Sequence, residues 1–405
     1  METYVTDTSV KKRHVFYLPG YDPMPPRRYR EMYRREGAEQ AQISGYDLSI
    51  SAKPVKNGPY NWQVVTEMDG HAVATTVEFL QWSDIVQDSM QANIPATYWL
   101  MLRTLWLYLR TGTLVALIRL RPAPMIAALY PVGVLLGQLL VAVLAGWAVA
   151  ALIGLILGPV GWVVGLGGVG FILITFKKHD ARIYAYYLLY DYAYSAWNAA
   201  GHPAPLRARL EEFKTRIVTA LASDNDEVLI VGHSSGAHLA VEILAEMERD
   251  GQLCSKASIG LLTLGQVVPM VSYLPDAKLL RRNLHDLARS DVVSWVDFSA
   301  PGDGACFALC DPVASSGIAP DTQTGPKVLS AAFSQNMSAE RHAKQKNRFF
   351  RQHFQYLCSF DQPGIYDYFA LTAGPVRLCD RYDGRGHSPS IQTRCYSRYT
   401  DMADV

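Results

Sequence analysis

The sequence predicts an α/β fold, a mainly parallel sheet with helices on both faces, into which a two-helix transmembrane hairpin is inserted. Three observations predict it. From residue 227 onward, short β-branched runs alternate with helical patterns. From Pro122 to Phe176, 55 residues counted inclusively, there is no Asp, Glu, Lys, Arg or His. Between one strand pattern and the next helix pattern stands Gly232-His233-Ser234-Ser235-Gly236. Strands alternating with helices imply parallel pairing through helical crossovers. An uncharged run of that length exceeds the roughly 20 residues that cross a hydrocarbon core of about 30 Å once, and suits two crossings.

The elements follow in order. Residues 14–19 (HVFYLP) form an apolar run closed by Pro19-Gly20, a buried-strand signal. Pro25-Pro26 opens a helix over 25–41. Three strands are expected at 42–51, 62–68 and 72–80, the last two joined by Asp69-Gly70, a strong hairpin signal. Beyond the membrane segment, helices are expected at 180–200 and 205–222. Strand 227–232, helix 235–250, strand 259–264, helix 276–289 and strand 292–298 come next. Residues 1–90 and 181–376 are thus expected to build one domain around an insertion at 91–180, with 377–405 as a tail.

Within the insertion, Gly158-Pro159 breaks the apolar run, giving spans at about 126–153 and 160–176. Gly161 and Gly165 have the GxxxG spacing that lets helix backbones approach, and suggest a homo-oligomer contact through glycine-rich helices. Trp147 and Trp162 are expected as interfacial anchors. Arg103, Arg110, Arg119 and Arg121 precede the hairpin, and Lys177, Lys178 and Arg182 follow it. The connection between the spans has no positive charge. The positive-inside rule then puts both termini in the cytoplasm of a cell with a bacterial-type inner membrane. A re-entrant hairpin and a buried hairpin of a soluble protein are the alternatives. Residues 97–120 read as a helix lying in the membrane interface, with Arg103 and Arg110 reaching the head groups, or as an ordinary core helix of the soluble domain.

Composition sets the remaining bounds. The 405 residues carry a net charge of +1, with 49% hydrophobic and 19% charged residues. No basic run marks a nucleic-acid binder, and the apolar content excludes a disordered chain. METYVTDTSVKKRH at the start has no apolar stretch, so no secretory signal is expected. Six scattered cysteines read as reduced thiols. Cys306 and Cys310 lack a second Cys/His pair at zinc spacing, so neither a metal nor a cofactor is expected.

GHSSG carries the chemistry. A serine on a tight strand-to-helix turn, with glycines where side chains would clash, projects its hydroxyl above the sheet edge. The helix behind it directs amides and its dipole at a developing anion. At these residues the chain resembles the α/β-hydrolase superfamily. The resemblance covers most of residues 10–55 and 225–375, which look closest to lipase-like serine hydrolases.

That resemblance implies Ser234 as nucleophile, Gly232 and Gly236 as the glycines of its elbow, and a chain order of serine, acid, histidine. The acid is expected at Asp303, in Ser299-Ala300-Pro301-Gly302-Asp303 after a strand, with Asp311 as runner-up; Asp297 lies within the strand. The base is expected at His353, in a region resembling the histidine segment of lipase-like members, with His387 as alternate to it and His342 a third candidate. His233 and His238 read as packing around the elbow. The Ser235 amide and that of Tyr21, after Pro19-Gly20, are expected to form the oxyanion hole. The implied activity is hydrolysis of carboxylic, lipid-like esters by a membrane-anchored enzyme. The alternatives are acyl transfer on the same fold, or a catalytically silent membrane scaffold that binds a partner.

Overall fold

The computed structural model describes residues 9–51, 59–345 and 348–404. The chain divides into two compact units, Met1–Val86 with Ala199–Val405, and Gln87–Asn198. The second unit is wider than the expected insertion of 91–180.

The first unit holds an eight-stranded sheet. Its strands are β1 (Lys12–Leu18), β2 (Asp47–Ser51), β3 (Asn61–Met68), β4 (His71–Phe79), β5 (Glu227–His233), β6 (Ser258–Leu264), β7 (Val293–Ser299) and β8 (Lys327–Ser330). Their order is β2-β3-β4-β1-β5-β6-β7-β8. β3 runs antiparallel to both its neighbours, and the pairs from β4 to β8 are parallel. β1, first in the chain, therefore lies centrally beside β5. Asp69 (φ 53°) and Gly70 (φ 78°) both turn left-handed between β3 and β4, the pairing that suits the twist of a two-residue hairpin.

Helix α1 (Pro26–Ser44) starts on proline and continues past the expected strand start at 42. Nothing in Gln42-Ile43-Ser44 breaks a helix; Gly45, at φ 73°, does so as its amide caps the Ala41 carbonyl. Tyr29, Tyr33, Gly37 and Ala41 form its buried face. Next comes the short α2 (Ser83–Ser89).

The second unit contains α3 (Ile94–Arg110), α4 (Thr113–Leu120), α5 (Pro122–Leu157), α6 (Val160–Lys178) and α7 (Ala185–Trp197). α5 and α6 are long and apolar enough to cross a membrane, and only 17% of each most apolar window is buried. A soluble protein's buried hairpin would hide such residues; here Leu155 is 84% exposed and Leu166 73%. A Cβ on Gly165 would lie 2.7 Å from the Ala150 Cβ, and one on Gly146 2.8 Å from the Gly165 carbonyl. The GxxxG glycines thus serve the close approach of α5 to α6 within one chain. Continuing that antiparallel register sets Lys178 roughly level with Leu135, so the first third of α5 runs past the end of α6. At 36 residues, or about 54 Å, α5 contains the expected span of 126–153 and is longer than a bilayer is thick.

Returning to the first unit, the chain forms α8 (Ala204–Leu221), α9 (Gly236–Arg249), α10 (Pro269–Ser272) and α11 (Lys278–Leu287) around the parallel strands. Residues 377–404, expected as a tail, are part of this unit. The Ser388 amide donates to the Val328 carbonyl, and Arg281 donates to the Asp401 carbonyl.

Candidate active site

The carboxyl ends of β1, β5, β6 and β7 meet at one edge of the sheet, where open α/β folds place ligands. β5 is entirely buried and ends at His233. Ser234 follows at φ 58°, a left-handed conformation that costs a non-glycine residue roughly 1–3 kcal/mol. α9 starts two residues later. A Cβ on Gly232 would stand 2.8 Å from the Ala237 Cα, and one on Gly236 2.6 Å from the Pro19 carbonyl. Neither position has room for a side chain, so the strand can turn this sharply only with glycine at both. Gly20 belongs to the same contact, since its Cβ would lie 3.0 Å from both the Ser234 Cβ and the Ser235 Oγ.

The loop after β1 is fastened to this turn. The Tyr21 amide donates to Ser235 Oγ at 2.8 Å. Tyr21 thus holds the loop on the elbow, and its amide would stabilise an oxyanion only once the Ser235 hydroxyl turns away. The Ser235 amide stands at the head of α9, where helix amides and dipole favour negative charge.

Asp303 lies in the loop after β7, its amide donating to the Ala300 carbonyl. The carboxylate is fully buried and accepts three hydrogen bonds: from the Ala305 amide at 2.9 Å, Tyr356 Oη at 3.1 Å and His353 Nδ1 at 2.8 Å. Burial is the largest single influence and pushes its pKa up, but the charge and hydrogen bond of His353, together with the hydrogen bonds of Ala305 and Cys306, hold it below the usual carboxylate range. An ionised Asp303 keeps the shared proton on Nδ1 and leaves Nε2 as the basic nitrogen of His353. Gly265 (φ 53°) leaves space here, for its Cβ would come within 3.3 Å of Asp303 Oδ2 and 2.6 Å of the Tyr356 ring.

His353 closes the short helix Phe349–His353. The ring of His233 lies 4.8 Å from the His353 ring at 32°, and its Nε2 donates to the His353 carbonyl at 2.9 Å. Burial, then the nearby His353, lowers the pKa of His233 to about 3, so it stays neutral. Because His233 adjoins Ser234 in the chain, this clamp ties the candidate base to the candidate nucleophile. Neither the His233 clamp nor the Tyr356 bond to Asp303 is foreseen from the sequence; a tyrosine three residues after His353 is the only hint of the latter.

The other candidates sit elsewhere. Asp311 accepts from the Val313 and Ala314 amides and from Gln323, the pattern of a turn former. His387 is exposed and accepts the Val328 amide on β8. Asp297 is buried between Thr263 and Ser299, and burial raises its pKa to about 7. His342 lies in the helix Ala339–Gln345. None of the six cysteines forms a disulfide. Cys306 Sγ lies 3.5 Å from Tyr356 Oη, and Cys310 Sγ meets the Ala308 carbonyl. Comparison with protein-family models, with curated proteins and with solved structures finds no match.

His238, on α9 beside the bonded His202–Glu242 pair, gives this unit a measurable pH dependence. Burial, then the charge of His202, lowers its pKa from 6.5 to about 4, and its Nδ1 has no hydrogen-bond partner among the described residues. As pH falls below 6.5, the unfolded chain takes up a proton at this position that the folded chain refuses until about pH 4. Between those limits the wild type should lose about 1.4 kcal/mol of stability per pH unit more than His238→Gln. Denaturant unfolding in detergent at pH 7, 6 and 5 measures this, and parallel curves would refute it.

Proposed function

We propose that this chain is a membrane-anchored serine hydrolase of the α/β-hydrolase type, which cleaves carboxylic, lipid-like esters through an acyl-enzyme on Ser234. One observation carries the reading: a serine held at positive φ between two obligatory glycines, whose chain neighbour His233 packs on a histidine bonded to a buried aspartate. In this mechanism His353 Nε2 takes the Ser234 proton as Oγ attacks the ester carbonyl. Asp303 holds the ring by Nδ1 and stabilises the imidazolium that forms. The Ser235 amide, at the start of α9, faces the developing oxyanion, with Tyr21 joining once its amide is released. His353 then protonates the departing alcohol and activates the water that frees the acid.

The membrane part of the reading rests on the exposed apolar surface of α5 and α6 and on the lysines and arginines at their outer ends. Both ends of the hairpin face the cytoplasm, and α5 crosses with residues 135–157. The α/β unit joins the hairpin unit at Val86 and at Ala199, so chain connection alone keeps it near the bilayer. A lipid-like substrate follows from that proximity.

Labelling of the full-length protein in membranes with a fluorophosphonate, followed by peptide mapping, tests the function. Such reagents phosphonylate only an activated serine, so no substrate need be known. The expected adduct is on Ser234. No adduct favours a silent scaffold, and an adduct elsewhere moves the active site.

A further inference from the structure

The hairpin is only part of the apolar surface in its unit. α3 buries Thr97, Met101, Thr104 and Leu107, bonding to α7 through Thr97–Tyr190 Oη at 2.7 Å and Thr104–Trp197 Nε1 at 2.9 Å. Its opposite face leaves Trp99, Leu102, Trp106 and Leu109 open, with Trp99 66% and Trp106 63% exposed. These four are spaced i, i+3, i+7 and i+10, one stripe of a helix. α4 repeats the pattern, burying Leu117 and Leu120 and exposing Val115 and Ile118.

Charge narrows what covers this face. From Ser89 to His179 there is no Asp or Glu, whereas Arg103, Arg110, Arg119, Arg121, Lys177 and Lys178 are all present. Arg103 is withdrawn: its guanidinium stacks 4.0 Å from the Trp197 ring instead of reaching outward as the sequence suggests. Arg110 and Arg119 remain exposed beside the apolar stripe. A second copy pressed on this face would bring like charges together, while an anionic surface would neutralise them.

Position narrows it further. Lys177 Nζ donates to the Ala92 carbonyl at 2.5 Å, and Tyr98 Oη donates to the Leu135 carbonyl at 2.9 Å. α3 therefore begins where α6 ends in lysines, the level at which the hairpin meets the head groups. We propose that the outer face of α3 and α4 docks on the head-group layer of a bilayer containing anionic phospholipid. Trp99 and Trp106 seat at the interface, with Arg110 and Arg119 on phosphates. The proposal rests on the membrane part of the functional reading and is independent of the serine chemistry.

Spin labels test it in full-length protein reconstituted into phosphatidylcholine vesicles with a quarter phosphatidylglycerol. Labels are attached through Leu102→Cys, Trp106→Cys or Leu109→Cys with the six native cysteines replaced, and through Leu155→Cys as hairpin reference. Collision with oxygen should exceed collision with a water-soluble nickel complex at all four positions. Nickel access at position 106 should rise several-fold in pure phosphatidylcholine, and likewise in Arg110→Gln/Arg119→Gln. Nickel access at 102, 106 and 109 with oxygen preference at 155 would overturn the docking surface alone. Nickel access at 155 would overturn the membrane reading beneath it. Shielding of the α3 labels from both reagents would mean a protein covers the face, and indifference to lipid charge would remove the anionic partner; either overturns the proposal.

Discussion

Ser234→Ala should lower ester turnover by on the order of 10⁶-fold and abolish fluorophosphonate labelling, with the fold unchanged. The magnitude is that of deleting the nucleophile from a triad whose members act as a unit. Alanine at φ 58° bears much the same backbone strain as serine, so the elbow should persist. No Ser234 side-chain bond needs replacing to keep the strand in place, since the turn is held by its backbone: the Ser234 amide donates to the Leu264 carbonyl, and the Ala237 amide to the Ser234 carbonyl. Ser235 cannot substitute as it stands. It is 3% exposed, against a half-buried Ser234, and its hydroxyl accepts the Tyr21 amide. Circular dichroism checks the fold, and kcat with intact-protein mass checks the chemistry. An adduct surviving in Ser234→Ala, or moving to Ser235, would refute the nucleophile assignment.

The parts of the molecule differ in how far their sequence reveals them. β5, β6 and β7 are legible because β-branched runs ending in glycine or polar residues alternate with amphipathic stretches. β8 is not, as Lys-Val-Leu-Ser at 327–330 is too short to show a period. The length of α5 is hidden because Pro131 sits inside the helix without ending it, and no charge marks the membrane boundary. The elbow is legible because its chemistry is local: two glycines, a serine and the flanking elements lie within ten residues. The candidate acid and base, Asp303 and His353, are 50 residues apart, and their meeting depends on loops that no periodicity describes. Tyr356 and His233 act through side-chain contacts between those loops and β5, which only the folded chain displays.

Asp303→Asn decides whether that meeting carries catalysis. The carboxylate accepts from His353 Nδ1, from Tyr356 Oη and from the Ala305 amide, and its ionised state is favoured by the first of these above all. An asparagine keeps the volume but can present an N–H to Nδ1. The neutral ring then carries its proton on Nε2, the nitrogen that must receive the Ser234 proton. Loss of the correct tautomer in a Ser-His-Asp triad costs about 10⁴-fold in kcat, and the same loss is expected here with KM little changed. Tyr356→Phe removes one donor to Asp303 and the acceptor of the Ala300 amide but leaves the charge and the tautomer intact, so it should cost far less, roughly tenfold. Steady-state kinetics on the two variants separate an electrostatic role of Asp303 from mere packing. If both lose activity equally, the network serves only the fold of the loop. If Asp303→Asn retains turnover while Asp311→Asn loses it, the acid is Asp311, and its three turn bonds would have to be remade when substrate binds.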